Sequence, residues 1–144
     1  MNREALYGST EVIDAVLAME LWFVVGLGDN PERVAHHVAH EMQAKGKRIV
    51  PIHPRAEIVH GEQGFRTIAE AAAVHGAPDV VDCFVRSSRA GEFADQAISA
   101  GAKAVWFQLG VSDEAAAQRV LDAGLLMVMD TCPLIEWRRR GVSI

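Results

Sequence analysis

The residues best suited to chemistry form one short stretch, Gly26-Leu27-Gly28-Asp29-Asn30-Pro31, directly after the apolar run Leu21-Trp22-Phe23-Val24-Val25. Two glycines one residue apart remove side chains where a chain reverses. Asp29 or Asn30 carries an oxygen able to cap a helix, and Pro31 has its φ already near the helical value for a first position. A helix begun this way points unpaired backbone N–H groups and the positive end of its dipole at the tip of the preceding strand, which is a site for phosphate or pyrophosphate. The pattern reads G-x-G-x-x-P, where the dinucleotide fingerprint wants glycine or alanine last. By itself the turn stays open between a nucleotide site and a purely structural reversal.

NAD recognition places an acid about 20 residues beyond such a turn, bonded to the ribose 2′-hydroxyl. That place holds Ile52-His53-Pro54-Arg55. A histidine and an arginine suit an extra phosphate instead, which leaves NADP or coenzyme A (CoA) with its 3′-phosphate. Arg33 falls in the expected first helical turn, where a cation is unfavourable unless an anion is present; it stays open between ligand contact and solvated surface, as do Arg55 and Arg86. Gln108 and Asp82 are polar groups in apolar runs: Asp82 is read as structural, and Gln108, near its strand's end, as open. His36 and His40 share a helix face beside His37, but H-E-x-x-H order is missing and no third ligand is evident, so surface histidines are the preferred reading. Cys132 has the position of a nucleophile or redox-sensitive thiol, yet no base adjoins it in sequence, and Cys83 reads as core.

The elements that must position these groups follow from pattern. Leu21 to Val25 is apolar without alternation, as expected of a central parallel strand covered on both faces. Val34, Val38 and Met42, with Ala35 and Ala39, form the apolar stripe of the helix after the turn, and Gly46 stops it. A helix over about Thr10 to Glu20 precedes this unit, with Thr10 as its cap. Strands at Arg48 to Ile52, Val80 to Val85, Ala104 to Leu109 and Leu125 to Met129 alternate with helices capped by Thr67, by Ser87 or Ser88, and by Ser112; a polar loop is expected after Pro54. Five strands alternating with helices predict an α/β fold, a Rossmann-like doubly wound parallel sheet in the order 3-2-1-4-5. The crevice then lies beyond strands one and four, near Gly26, His53, Phe84 and Gln108. Trp106 and Phe107 are assigned to sheet packing and Trp137 to covering the last strand.

At 144 residues and 50% hydrophobic content, the chain is expected to form one domain, residues 1–144 with its core at about 10–137, burying roughly 70% of its unfolded surface. A net charge of -5 gives no basic footprint for nucleic acid, and Arg138 to Arg140 read as a solvated tail. No apolar run reaches the roughly 20 residues of a membrane span, and the first ten residues lack a signal pattern, so the expected place is the cytoplasm, with Cys83 and Cys132 reduced.

The run from Trp22 to Trp137 resembles the small CoA-binding-domain proteins, relatives of the N-terminal domain of the succinyl-CoA synthetase α-subunit. The matching pieces are VVGLGDNPERVAHHVA, IVPIHPRAEIVHG, PDVVDCFVRSS, GAKAVWFQLGV and MVMDTCPLIEW, in the family's order and spacing. The resemblance implies a CoA pyrophosphate held by the first loop, including Gly26, Leu27, Gly28, Asp29, Asn30 and Arg33. It implies an adenosine-phosphate end near His53, Pro54 and Arg55, and a ligand path along Phe84, Val85 and Arg86, with Gln108 at the crevice. The family commonly has serine where Gly28 stands and proline where Val34 stands. The expected function is a small cytoplasmic protein that binds CoA or an acyl-CoA without catalysis of its own, because the synthetase relatives carry a further domain that is not expected here. The alternatives are an NADP-dependent or acyl-transfer enzyme using the same crevice, and an interaction protein without nucleotide. No feature identifies a protein partner.

Overall fold

The computed structural model describes residues 3–144. Helices α1 (Arg3–Tyr7) and α2 (Thr10–Leu17) lead into β1 (Leu21–Val25), followed by α3 (Val34–Ala44) and β2 (Arg48–Ile52). Then come a hairpin of β3 (Ile58–Val59) and β4 (Glu62–Gln63), α4 (Ile68–His75), β5 (Val80–Cys83), α5 (Ser87–Ser99), β6 (Ala104–Phe107), α6 (Glu114–Asp122), β7 (Leu126–Val128) and α7 (Pro133–Arg139).

The five expected strands form one parallel sheet ordered β2-β1-β5-β6-β7. The α/β class holds, but the order 3-2-1-4-5 is corrected: counted as main strands the sheet runs 2-1-3-4-5, the other common doubly wound arrangement. The reason lies in β2. Pro51 has no N–H, and its C=O faces outward, where it accepts from the Phe65 N–H at 2.9 Å. The missing donor is therefore on the open side, which suits an edge strand and not an interior one. β5, buried at all four positions, takes the inner place beside β1. The winding reverses between β1 and β5, so the crevice opens there and not between the first and fourth strands.

The alternation along the strands feeds two cores. Phe23, Val25, Val81, Val105 and Met127 pack with α4, α5 and α6 on one face; Trp22, Val24, Val80, Trp106 and Val128 pack with α2, α3 and α7 on the other. Trp22 and Trp106 meet there with ring centroids 5.7 Å apart, and Trp106 Nε1 donates to the Thr131 C=O at 2.8 Å. Trp137 belongs to this second core. The polar loop expected after Pro54 is a hairpin instead. It turns at His60 and returns along the outer edge of β2 through a parallel bridge between Ile52 and Phe65.

Several helix starts shift by a residue or more. Ser9, not Thr10, caps α2 by accepting from the Val12 N–H. Asp113, not Ser112, caps α6 by accepting from the Ala116 N–H. Ser87 is the first residue of α5, and its hydroxyl instead accepts from the Ser112 N–H at 3.0 Å, tying two loops together beside the crevice. Thr67 does cap α4. The helix α7 rests on a buried acid: Glu136 accepts from the Thr131 hydroxyl at 2.6 Å and pairs with Arg139 and Arg140.

Candidate functional site

The glycine turn joins β1 to α3, but the helix begins later than expected. Asn30 Oδ1 accepts from the Glu32 N–H, and the Asn30 C=O from the Arg33 N–H, both at 3.0 Å, so Pro31 and Glu32 form a separate turn. The first helical residue is Val34, and the N-cap is Arg33, whose side chain makes no capping bond. Asp29, Asn30 and Pro31 therefore neither cap nor open the helix. Val34 leaves the expected stripe and stands 70% exposed, while Ala35, Val38, Ala39 and Met42 are buried. Gly26 sits at φ +89, and a Cβ there would lie 2.2 Å from the Phe84 carbonyl oxygen, so bare backbone lets the tips of β1 and β5 meet. Gly28 lies outside the left-handed region; a Cβ there would meet Glu57 Oε1 and the His53 ring at 3.2 Å.

A cleft of about 990 Å³ opens from this turn along the sheet's C-terminal edge and between α3 and α7. That is the size of a small-molecule site. Of the residues singled out in the sequence, Gly26, Gly28, Asp29, Asn30, Arg33, His53, Arg55, Phe84, Val85, Arg86 and Gln108 line it. Two do not: Leu27 is fully buried in the second core, and Pro54 is exposed outside the lining. β5 and β6 end at Cys83 and Phe107, which puts Phe84, Val85 and Gln108 just past the strand tips. Glu57, brought to the turn by the hairpin, and Leu134, Ile135 and Arg138, brought by α7, complete the lining without having stood out in the sequence. The PLIEWRR run, with proline at its start, carried that helix signal.

The cleft gathers cations in an acidic protein. Arg33, Arg55, Arg86 and Arg138 line it, and among the described residues their side chains have no ion pair or hydrogen bond. By contrast Arg89, Arg119, Arg139 and Arg140 are all paired with carboxylates. Acids are present as well. Asp29 lies 3.5 Å from His36, and Glu57 Oε1 accepts from the Asp29 N–H at 3.2 Å, so a carboxylate already rests on the turn. At the cleft's rim the apolar side chains Val34 and Leu109 are exposed, the latter by 63%.

At the inner end, Gln108 Nε2 donates to Asp82 Oδ1 at 2.6 Å, while Asp82 Oδ2 is buried without a partner. Burial pushes Asp82 up to about 7, and its bond from Gln108 only partly offsets this. Cys132 lines the cleft, and burial raises its thiol above the ordinary range; Cys83 is raised well above it by burial and then by Asp82. Both are free thiols. Thiols held up in this way are the reverse of an activated nucleophile.

The rings of His36 and His40 both pack against His60 of the hairpin, with centroids 4.1 and 5.1 Å away. Among the described residues no group of three or more histidine, cysteine, aspartate or glutamate side chains is placed to hold a metal ion. A second hollow of about 630 Å³ lies between α4 and α5, with Asp95 its single charged residue. No described helix is long and apolar enough to cross a membrane.

A doubly wound parallel sheet with a glycine turn and an open cleft at its switch point defines a Rossmann-like α/β fold. Residues 20–138 match the family described as "CoA binding domain", and the chain belongs to that family. A Bacillus subtilis (strain 168) relative, "Uncharacterized protein YneT", is 32% identical over 109 residues, covering 76% of this chain and 78% of its own. A solved "hypothetical protein from Pyrococcus horikoshii OT3" superposes with a TM-score of 0.84 at 29% identity over 96% of each chain. A Thermus thermophilus structure at 23% identity covers 91% of this chain and 98% of its own with a TM-score of 0.80, and shares the fold.

Proposed function

We propose that this protein binds coenzyme A or an acyl-CoA in the cleft at the end of β1, in the cytoplasm and without catalysis of its own. The observation that carries this reading is the convergence of Arg33, Arg55, Arg86 and Arg138, none with a side-chain partner among the described residues, on a cleft bounded by the glycine turn. Four free guanidinium groups suit a ligand bearing a pyrophosphate and a further phosphate. The bare backbone of Gly28 and the N-terminus of α3 would hold the pyrophosphate. His53 and Arg55 would take the 3′-phosphate. Val34, Phe84, Val85 and Leu109 would cover the less polar pantetheine and acyl part. The whole chain acts as one ligand-binding domain in this account. The raised thiol of Cys132 speaks for binding over nucleophilic chemistry, and two free thiols suit a reducing compartment.

Glu57 supports a second reading. Its carboxylate stands beside the glycine turn, two residues beyond Arg55, and an acid near such a turn is the group that bonds the ribose of NAD. Calorimetric titration of the purified protein with CoA, acetyl-CoA, NAD and NADP separates the two. The CoA reading expects one CoA or acetyl-CoA per chain, weaker NAD and NADP, and no turnover of acetyl-CoA. Preferential binding of NAD would move the assignment to a dinucleotide protein.

A further inference from the structure

Asp82 stands in β5, and Gln108 lies one residue past the end of the neighbouring strand β6, at the inner end of the cleft. Asp82 lies opposite Trp106 in the register of β5 with β6, and Gln108 follows two residues later. Asp82 is fully buried, Gln108 is 3% exposed, and Gln108 lines the cleft. Resting on the CoA reading of that cleft, we propose that the Asp82–Gln108 pair selects the reactive end of the ligand, taking a free thiol with the Gln108 carbonyl oxygen and a thioester carbonyl with the Gln108 amide nitrogen.

An ionised carboxylate only accepts, so Gln108 must turn its Nε2 inward to Asp82, as the 2.6 Å contact has it. Its carbonyl oxygen is then the atom left for the cleft. A ligand group meeting that oxygen has to be a donor, such as the S–H of free CoA. A thioester offers only its carbonyl oxygen and would set acceptor against acceptor, which a buried wall penalises. With a proton on Asp82 the constraint disappears. The carboxylic acid donates to the Gln108 carbonyl, the amide turns over within the same volume, and its NH₂ faces the cleft as a donor for the thioester carbonyl.

Two features of the pair suit such an exchange. Asp82 Oδ2 has no partner, so the ionised form is only half satisfied. Burial brings the carboxyl to about 7, where both forms are populated at neutral pH. Cys83 and Cys132 are thiols held neutral by burial. At this level β1 contributes Val24 and β6 contributes Trp106, neither ionisable. Arg138 of α7 and His37 of α3 line the same cleft and act on CoA and acyl-CoA alike.

The test is the ratio of dissociation constants for acetyl-CoA and CoA, measured calorimetrically from pH 5.5 to 8.0. The two ligands share every phosphate, so phosphate, arginine and histidine effects cancel in the ratio. The wild-type ratio should rise about three- to tenfold with pH, with a midpoint near 7, as one hydrogen bond changes sense. Asp82→Asn should abolish that dependence, with melting curves showing whether the variant is folded. A flat wild-type ratio with both ligands bound overturns this inference and leaves the CoA reading standing, as does a rise that persists in folded Asp82→Asn. Failure of both ligands to bind removes the CoA reading and this inference together.

Discussion

The Glu57 carboxylate accepts a hydrogen bond from the backbone N–H of Asp29 at 3.2 Å, so an acid of the chain itself rests on a donor of the glycine turn. A Cβ at Gly28 would come within 3.2 Å of the same carboxylate oxygen and of the His53 ring. The absence of a side chain at Gly28 thus leaves room for Glu57 and His53. Glu57→Gln keeps the acceptor and removes the charge. CoA should then bind up to about fivefold more tightly, a gain of about 1 kcal/mol expected of a part-exposed charge. Calorimetry at low salt and at 0.5 M salt checks this, since screening should shrink the gain. Unchanged or weaker binding in Glu57→Gln would mean the ligand does not approach this turn.

Gly26 and Gly28 should separate stability from binding. Gly26→Ala forces a Cβ to 2.2 Å from the Phe84 backbone oxygen at φ +89. It should cost about 2–4 kcal/mol of stability in denaturant unfolding. Gly28→Ala meets only side-chain ends, so it should stay within about 1 kcal/mol of wild type while weakening CoA. Equal stability losses at the two positions would contradict this division of roles.

Asp82 should make stability fall with rising pH. Its carboxyl is raised from 3.8 to about 7, so between those values the folded state holds a proton that the unfolded state has lost. The contribution is fully present below about pH 4 and is lost as pH climbs to about 7. Its size is roughly 4 kcal/mol for this fully buried group. Urea unfolding of wild type and Asp82→Asn across pH 4–8 should show the two curves diverging over that window, with the variant gaining. Parallel curves would show that Asp82 does not carry a raised value.

Arg55 is exposed and without a side-chain partner among the described residues. If it reads the 3′-phosphate, Arg55→Ala should cost CoA about tenfold in affinity, the lower end for a charge-assisted contact. Dephospho-CoA should lose much less. Equal losses for both ligands would remove Arg55 from that role.

The fold class was legible because β1 is an unbroken apolar run and because the strand runs beginning at Val80 and Ala104 each lead into a helix-start signal. The order was not, since it turns on Pro51 marking an edge, and a proline inside an apolar run carries no sign of which neighbour is absent. Gly26, His53, Phe84 and Gln108 were legible from their places near strand tips, whereas Val85 followed only from the resemblance to the CoA-binding-domain proteins. Glu57 was not: a two-residue hairpin strand has too little pattern to read, and that hairpin delivers the acid to Gly28. The pairing of Asp82 with Gln108, 26 residues apart, depends on the register of β5 with β6 and lies beyond any local rule. Val34 was assigned to the helix stripe because Pro31 reads as a helix start; the Asn30 side chain instead bonds the Glu32 N–H and delays the helix to Val34.

Whether CoA occupies the cleft at the glycine turn is decided by backbone amide chemical shifts on titration with CoA. The account predicts saturable shifts at Gly28, Asp29, Asn30 and Arg55, with Ala72 and Ser99 of the α4–α5 hollow unmoved. Shifts confined to that hollow, or none at millimolar CoA, would contradict it.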